Sequence, residues 1–154
     1  MKKRLLALAL LALGFSANTY AQSTPLYMGY YYDDLITVMH TATYTEIGTI
    51  TMTSDAGSVD GCYGLSLEPS SGDMYILYQL DAGDATSRRL GIIDVSTGEI
   101  TDIGVIGNMN DIGFVNGQLY ATTGSYSGQQ FVEVDKTDAS TTSLLSPSSD
   151  NESC

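Results

Sequence analysis

The 154-residue sequence has few of the residues on which catalytic sites are usually built. It contains one histidine, His40, and two cysteines, Cys62 and Cys154. It has no Gly-x-Ser-x-Gly turn, no metal-binding pair of histidines and no phosphate-binding glycine loop. These absences argue against the common hydrolytic and metal-dependent mechanisms, and we predict no catalytic residue.

Basic residues are also scarce. Six Lys and Arg stand against eighteen Asp and Glu, which gives a formal charge of −12. Proteins bind nucleic acid or anionic lipid largely by replacing condensed counterions with Lys and Arg side chains. The sequence therefore predicts neither a nucleic acid nor an anionic membrane surface as a partner.

Long apolar runs are missing except near the beginning, where Leu5 to Phe15 form one run of eleven residues. This run is too short to cross a bilayer comfortably. Three basic residues precede it and the small-x-small sequence Thr19-Tyr20-Ala21 follows it, a pattern typical of a secretory signal peptide. We predict a signal peptide over 1–21, a secreted or periplasmic protein, and no membrane span after cleavage.

The two cysteines leave two interpretations open. An oxidising compartment would allow Cys62 and Cys154 to form a disulfide. However, Cys154 ends the polar segment 146–154, whose composition predicts a disordered tail. Two unpaired thiols are the alternative.

Residues 22–145 consist of short segments rich in Val, Ile, Thr and Tyr, separated by Gly, Asp, Ser and Asn. No segment keeps a helical period of apolar residues for three turns, so we predict an all-β domain over 22–145. The predicted strands are 26–32, 35–39, 43–53, 63–68, 73–80, 88–95, 99–106, 111–115, 118–124, 130–135 and 140–145.

The sequence is similar to itself at a spacing of 41 to 47 residues. Segments 64–67, 72–75 and 90–98 are echoed by 111–114, 117–120 and 131–137. Such a period indicates the blades of a propeller or the turns of a solenoid. We predict two units of four antiparallel strands each, preceded by the last half of a third unit in which Thr45 to Ile50 matches Thr101 to Ile106.

These motifs resemble those of secreted bacterial β-propeller repeat proteins of the YVTN/lactonase-like or quinoprotein-like type. The resemblance covers about residues 35 to 145 and depends on Leu65, Leu67, Pro69, Gly72, Tyr75, Ile93, Asp94, Thr97, Gly98, Thr101, Ile103 and Gly104. It implies an all-β fold, a partial β-propeller of about two and a half four-stranded antiparallel blades.

Closed propellers usually have four to eight blades. We therefore expect that the chain is a piece of a longer product, closes a ring with copies of itself, or folds as an open arc. The polar ending favours the first of these.

The expected function is that of an exported, non-catalytic binding or structural module whose ligand the sequence does not identify. The alternative is a fragment or subunit of a propeller lactonase or hydrolase-type enzyme. An incomplete arc would expose open blade edges, which predicts self-association.

Two groups of residues are candidate sites. Tyr30, Tyr31 and Tyr32 crowd the start of the mature chain, where tyrosine rings suit contacts with a protein or a carbohydrate. If these tyrosines lie in a strand, Tyr30 and Tyr32 point to one face and Tyr31 to the other. Ordinary strand packing is the alternative and is favoured, because aromatic residues are common strand formers.

Asp81 and Asp84 are candidate calcium ligands, because loops rich in Asp can supply the oxygens that calcium requires. No complete calcium-binding motif surrounds them, so a solvated loop is the favoured alternative. Asp94 and Asp135 occupy equal places before turns, which predicts that their side chains accept hydrogen bonds from turn amides.

Overall fold

The computed structural model describes residues 25–81, 85–123 and 130–145, which consist of strands joined by turns and one short 3₁₀ helix, Ala85–Ser87. The all-β prediction is confirmed. The predicted signal peptide (1–21), the predicted tail (146–154) and Asp84 lie outside the described residues. The strands are β1 (Pro25–Gly29), β2 (Leu35–His40), β3 (Thr45–Thr51), β4 (Thr53–Ser54), β5 (Val59–Leu67), β6 (Met74–Leu80), β7 (Arg89–Ile93), β8 (Glu99–Val105), β9 (Met109–Val115), β10 (Gln118–Thr123), β11 (Phe131–Val134) and β12 (Thr141–Leu145).

The strands form three sheets in chain order. Sheet 1 has the order β1-β2-β3, sheet 2 the order β4-β8-β7-β6-β5, and sheet 3 the order β12-β11-β10-β9. Strands that follow one another within a sheet pair antiparallel, whereas β4 pairs parallel with β8. No helix in the described part of the chain is long and apolar enough to cross a membrane.

Sheet 2 is buried on both faces, and β6 is its clearest example. Tyr75 and Leu77 belong to a core cluster shared with sheet 3, whereas Ile76 and Tyr78 belong to a cluster shared with sheet 1. Alternate residues of a strand point to opposite faces, so β6 has no face left for water. This explains why its sequence, Met-Tyr-Ile-Leu-Tyr-Gln-Leu, lacks the polar alternation of a surface strand.

The turns at Asp94 and Asp135 have the same construction. One oxygen of Asp94 accepts hydrogen bonds from the Ser96 hydroxyl (2.6 Å) and amide (2.8 Å), and Asp135 holds Thr137 at the same two distances. The predicted turn role of both aspartates is confirmed. These hydrogen bonds, that of the hydroxyl first, lower the pKa of each carboxyl group.

The turn after Asp94 also requires a glycine. Gly98 has a φ of 82°, and a Cβ atom there would lie 2.0 Å from the Thr51 carbonyl oxygen. The Gly98 carbonyl accepts the Thr53 amide at 2.9 Å, so the turn connects sheet 2 to the segment that leaves sheet 1.

Each of the three sheets carries an irregularity at the same place in its last hairpin. The register shifts between Val38 and Met39, between Leu90 and Gly91, and between Phe131 and Val132. The extra residues on the partner strands are Ile47, Ile103 and Leu144. The matching segments Thr45-Glu46-Ile47-Gly48 and Thr101-Asp102-Ile103-Gly104 therefore each contain a β-bulge.

Three details of the strand prediction are wrong. β5 begins at Val59, four residues before the predicted start at 63. The predicted strand 26–32 ends at Gly29, because Tyr30 leaves sheet 1 to accept the Cys62 amide and Tyr32 has a φ of 61°. The predicted strand 43–53 is interrupted at Met52, whose amide donates to the Asp34 carbonyl, and the two residues of β4 join sheet 2 instead. Sheet 1 accordingly has three strands and sheet 2 has five.

We expect Leu77→Ala to lower the free energy of unfolding by about 2–5 kcal/mol, because the fully buried side chain would leave a cavity between sheets 2 and 3. Leu67→Ala is the matched control on the neighbouring strand, where the side chain is 52% exposed, and should cost about 0.5 kcal/mol. Urea unfolding measures both. Equal losses for the two variants would contradict the double-sided burial of β6.

We expect Asp94→Ala to lower the melting temperature, because the Ser96 amide and hydroxyl would lose their acceptor. Asp94→Asn keeps an oxygen at this position and should recover most of the loss. Thermal unfolding followed by circular dichroism measures both variants. A melting temperature that is the same for Ala, Asn and the parent protein would show that the turn does not depend on this side chain.

Candidate functional site

The three tyrosines predicted as a binding face lie in the turn between β1 and β2, not in a strand. All three side chains are exposed. Only Tyr31 makes a described aromatic contact, packing edge-on against Tyr63 with 4.7 Å between ring centroids. The predicted alternation of Tyr30 and Tyr32 against Tyr31 is wrong, because it requires an extended strand.

Tyr63 connects Tyr31 to a buried arginine. The guanidinium carbon of Arg88 lies 3.7 Å from the centroid of the Tyr63 ring. Nη1 of Arg88 donates to the Met109 carbonyl and to Oδ1 of Asn110, the latter at 2.7 Å. We call Tyr31, Tyr63, Arg88 and Asn110 the Tyr–Arg cluster.

The Tyr–Arg cluster is assembled from all three sheets. Tyr31 comes from the β1–β2 turn, Tyr63 from β5, Arg88 from the residue before β7, and Asn110 from β9. Two hydrogen bonds fix the cluster from behind. The Tyr63 hydroxyl donates to Oε1 of Gln79 at 3.1 Å, and the Arg88 carbonyl accepts the Ile106 amide at 2.8 Å. Such a cluster offers aromatic rings, an amide and a guanidinium, which are groups that stack on and hydrogen-bond to bound molecules.

The neighbouring arginine has a different environment. Arg89 donates through Nε to Asp102 at 2.8 Å and forms an ion pair with it through Nη2. The Tyr78 hydroxyl donates to the same carboxylate at 2.6 Å. The hydrogen bond from Arg89 is the main cause that lowers the pKa of Asp102, and burial together with the bond to Asp102 raises the pKa of Tyr78 to about 12.

Cysteine and histidine often act as nucleophile and base in enzymes, and the surroundings of both residue types are described here. Cys62 lies inside β5 as a buried, free thiol, and burial raises its pKa to about 12, so almost none of it is the reactive thiolate at neutral pH. His40 ends β2, half-buried, with Nδ1 3.2 Å from the Thr43 hydroxyl. The two residues lie in different sheets.

A groove of about 850 Å³ lies between β1 and the turns of sheet 2. Tyr27 and Met74 contribute apolar surface, and Asp73, Asp94 and Glu99 contribute carboxylates. The Asp94 carboxylate is already engaged in its own turn, which leaves the groove a mixed surface without a converging set of ligands.

The calcium prediction is only partly covered by the structure. Asp81 is exposed directly after β6, and its amide donates to the Ser58 carbonyl at 2.9 Å. Asp84 lies outside the described residues. Within residues 25–81, 85–123 and 130–145, no three His, Cys, Asp or Glu side chains are grouped as metal ligands.

The sequence did not identify Tyr63, Arg88 or Asn110 as site residues. One signal was available, because only Arg88, Arg89 and Lys136 are basic after residue 24. Because the chain has eighteen acidic residues, a carboxylate partner is expected for each of these three cations. The partner that each one has in the structure is therefore informative.

Comparison with known proteins adds no relative: neither a protein-family model nor a curated protein matches this chain.

We expect the Arg89–Asp102 pair to stabilise the fold in a pH-dependent way. The pKa of Asp102 is lowered on folding, so its contribution is complete above the unfolded value of about 4 and is lost as the pH falls below it. Asp102→Asn should therefore cost about 1–2 kcal/mol at pH 7 and much less at pH 2.

Urea unfolding at the two pH values measures this difference. Arg89→Gln is the matched variant, since it removes the same interaction from the other side and should flatten the same acid limb. A constant loss at both pH values would mean that packing, and not the ion pair, stabilises this site.

Proposed function

We propose that the protein is an exported binding or structural module whose three sheets are successive blades of a β-propeller arrangement. The observation that carries this proposal is the burial of sheet 2 on both faces, against the sheet before it and the sheet after it. Blades of a propeller pack in this way because each four-stranded sheet has two apolar faces to cover. The bulge shared by the three last hairpins further supports equivalent units.

A binding role fits the Tyr–Arg cluster better than catalysis. Its members come from three sheets: Tyr31 lies in a loop, Arg88 and Asn110 lie at strand ends, and Tyr63 lies within β5. Loops and strand ends on a rigid scaffold often present recognition residues. Aromatic rings, an amide and a guanidinium orient a ligand without reacting with it. A protein or a carbohydrate is the proposed partner class, while the strongly acidic chain disfavours nucleic acid.

Self-association is part of the proposal, because the outer sheets leave apolar side chains exposed. Leu26 and Met28 are exposed on sheet 1, and Val115, Phe131 and Leu145 are exposed on sheet 3. The corresponding face of sheet 2, which carries Tyr75 and Leu77, is covered by sheet 3. A second copy of the chain that packs sheet on sheet would cover these residues in the same way.

Association through sheet 3 should nevertheless be weak. Tyr75 and Tyr120 occupy matching positions in sheets 2 and 3, as do the turns at Asp94 and Asp135. In this alignment of the two sheets, Leu77 corresponds to Thr122 and Ile92 corresponds to Glu133. Burying the Glu133 carboxylate against a second sheet would be costly unless it found a partner. We therefore propose a reversible, concentration-dependent assembly.

We expect the chain produced with residues 1–21 in a bacterial host to be recovered outside the cytoplasm, beginning at Gln22. Intact mass measures the start of the chain, and light scattering over a range of concentrations measures the assembly. Phe131→Ser should raise the concentration needed for association by about tenfold, since it removes an apolar ring from the contact.

Tyr44→Asn is the matched control. Tyr44 is 75% exposed in the β2–β3 turn, outside the strands, and asparagine tolerates its φ of 53°. This variant should associate like the parent. An uncleaved cytoplasmic product would contradict export, and a monomer at every concentration would contradict assembly. Hydrolysis of a lactone by the purified chain would favour the alternative of a lactonase or hydrolase.

A further inference from the structure

The three sheets pack in one repeated direction. Ile50 of sheet 1 packs into the core shared with sheet 2, and Ile106, directly after β8, packs into the core shared with sheet 3. The two residues are equivalent, because they end the matching segments 45–50 and 101–106. We call the face that meets the following sheet the forward face, and the face that meets the preceding sheet the backward face. Both contacts between sheets therefore join a forward face to a backward face.

Two faces in the described part of the chain are left open, one of each kind. Phe131 of sheet 3 stands directly before the register shift of its hairpin, as Leu90 does in sheet 2. Leu90 is fully buried against sheet 3, whereas Phe131 is 37% exposed on the open forward face of sheet 3. On β1, Leu26 and Met28 alternate with Tyr27, which packs toward sheet 2, so both lie on the open backward face of sheet 1.

We propose that the forward face of sheet 3 binds the backward face of sheet 1 in a second copy of the chain. This deepens the proposed self-association and rests on it. The contact would continue the series of interfaces inside the chain, where sheet 1 meets sheet 2 and sheet 2 meets sheet 3 in the same sense. Because the two faces differ, each copy offers one of each and binds its neighbour head to tail.

The forward face of sheet 3 has room for side chains of a neighbour. A shallow recess of about 230 Å³ is lined by Gly113, Val115, Tyr120 and Phe131, among others. A Cβ atom at Gly113 would have no neighbour within 4 Å, so the surface beside Tyr120 is open. Methionine adapts well to an irregular apolar recess, and Met28 is such a side chain on the backward face of sheet 1.

The charges favour this contact over a symmetric one between two copies of sheet 3. A symmetric contact would place two Glu133 carboxylates in one interface, where like charges repel. On the backward face of sheet 1, Glu46 is the only carboxylate of strands β1–β3, and it lies on the edge strand β3. Ile92, the counterpart of Glu133 in sheet 2, is only half-buried and lines an open groove. A carboxylate at this position therefore remains in contact with water in a head-to-tail contact.

The number of sheets indicates how many copies close the series. A head-to-tail contact either closes a ring or continues as a filament. Two copies contribute six sheets, which lies within the range of about four to eight found in closed propellers, whereas three copies contribute nine. We therefore expect a dimer with two equivalent contacts. The second contact forms within the same particle, which strengthens the assembly without a new kind of interface.

Analytical ultracentrifugation of the mature chain and of two variants tests the contact. Met28→Asp places a charge on the backward face of sheet 1, and Phe131→Asp places one on the forward face of sheet 3. Each contact uses both faces, so each variant alone should need at least about tenfold more protein to associate. An equimolar mixture should recover much of the association, because a mixed pair has one contact with two unaltered faces.

Tyr44→Asp is the matched control, because it adds the same charge at an exposed position outside the strands, and it should associate like the parent. Where circular dichroism shows that a variant is misfolded, Leu26→Asp replaces Met28→Asp and Leu145→Asp replaces Phe131→Asp on the same face. A limiting mass of two chains for the parent supports the ring.

Three results would overturn the proposal. These are association of Met28→Asp like that of the control, a mixture that associates no better than its separate components, and a parent mass that grows without limit. The first two refute the head-to-tail contact, and the third refutes closure by two copies. A parent that is monomeric at every concentration contradicts the self-association itself, so the two failures are distinguishable.

Discussion

The fold depends on the burial of one strand from two sides. β6 contributes Tyr75 and Leu77 to the core with sheet 3, and Ile76 and Tyr78 to the core with sheet 1. A free sheet of this composition would expose a large apolar face on either side, so sheet 2 requires both neighbours. Sheet 2 is also tightly packed within itself, at the bulge between β7 and β8. A Cβ atom at Gly91, on the adjoining strand, would lie 2.6 Å from Ile100 and 2.9 Å from the Thr101 carbonyl.

Local sequence was sufficient to predict most strands of sheets 2 and 3, although it missed β4 and placed the start of β5 four residues late. The predicted segments 73–80, 99–106 and 118–124 differ by one residue at an end from the observed strands. Asp94 and Asp135 each bind a residue two positions ahead, inside their own turns. In the β9–β10 turn, Asn116 and Gly117 both have the positive φ that a tight hairpin requires. Contacts between distant residues account for the errors. Tyr30 to Tyr32 have strand-forming side chains, but the Tyr30 carbonyl accepts the amide of Cys62, which the sequence pattern cannot reveal.

The Tyr–Arg cluster was beyond sequence reasoning for the same reason. Arg88 and Arg89 are adjacent and look equivalent in the sequence, yet one lies on the Tyr63 ring and the other on the Asp102 carboxylate. Only the order of the sheets decides this, because Tyr63 and Asn110 belong to different sheets that meet at Arg88. The sequence does show that cations are scarce, so an arginine with no carboxylate partner among the described residues is unusual in this chain.

Sheets 2 and 3 share an order of four antiparallel strands, the turn at Asp94 and Asp135, and the bulge of the last hairpin, but their corresponding faces differ in composition. Leu77 and Ile92 pack against sheet 3, whereas the matching positions on the outer face of sheet 3 hold Thr122 and Glu133. Tyr120 and Phe131 on that face stack on each other, with 5.1 Å between ring centroids and 12° between ring planes. The aromatic pair therefore buries part of its own surface, while Glu133 opposes complete burial. This face is intermediate between core and surface, and a neighbour that supplied a cation opposite Glu133 would cover it best.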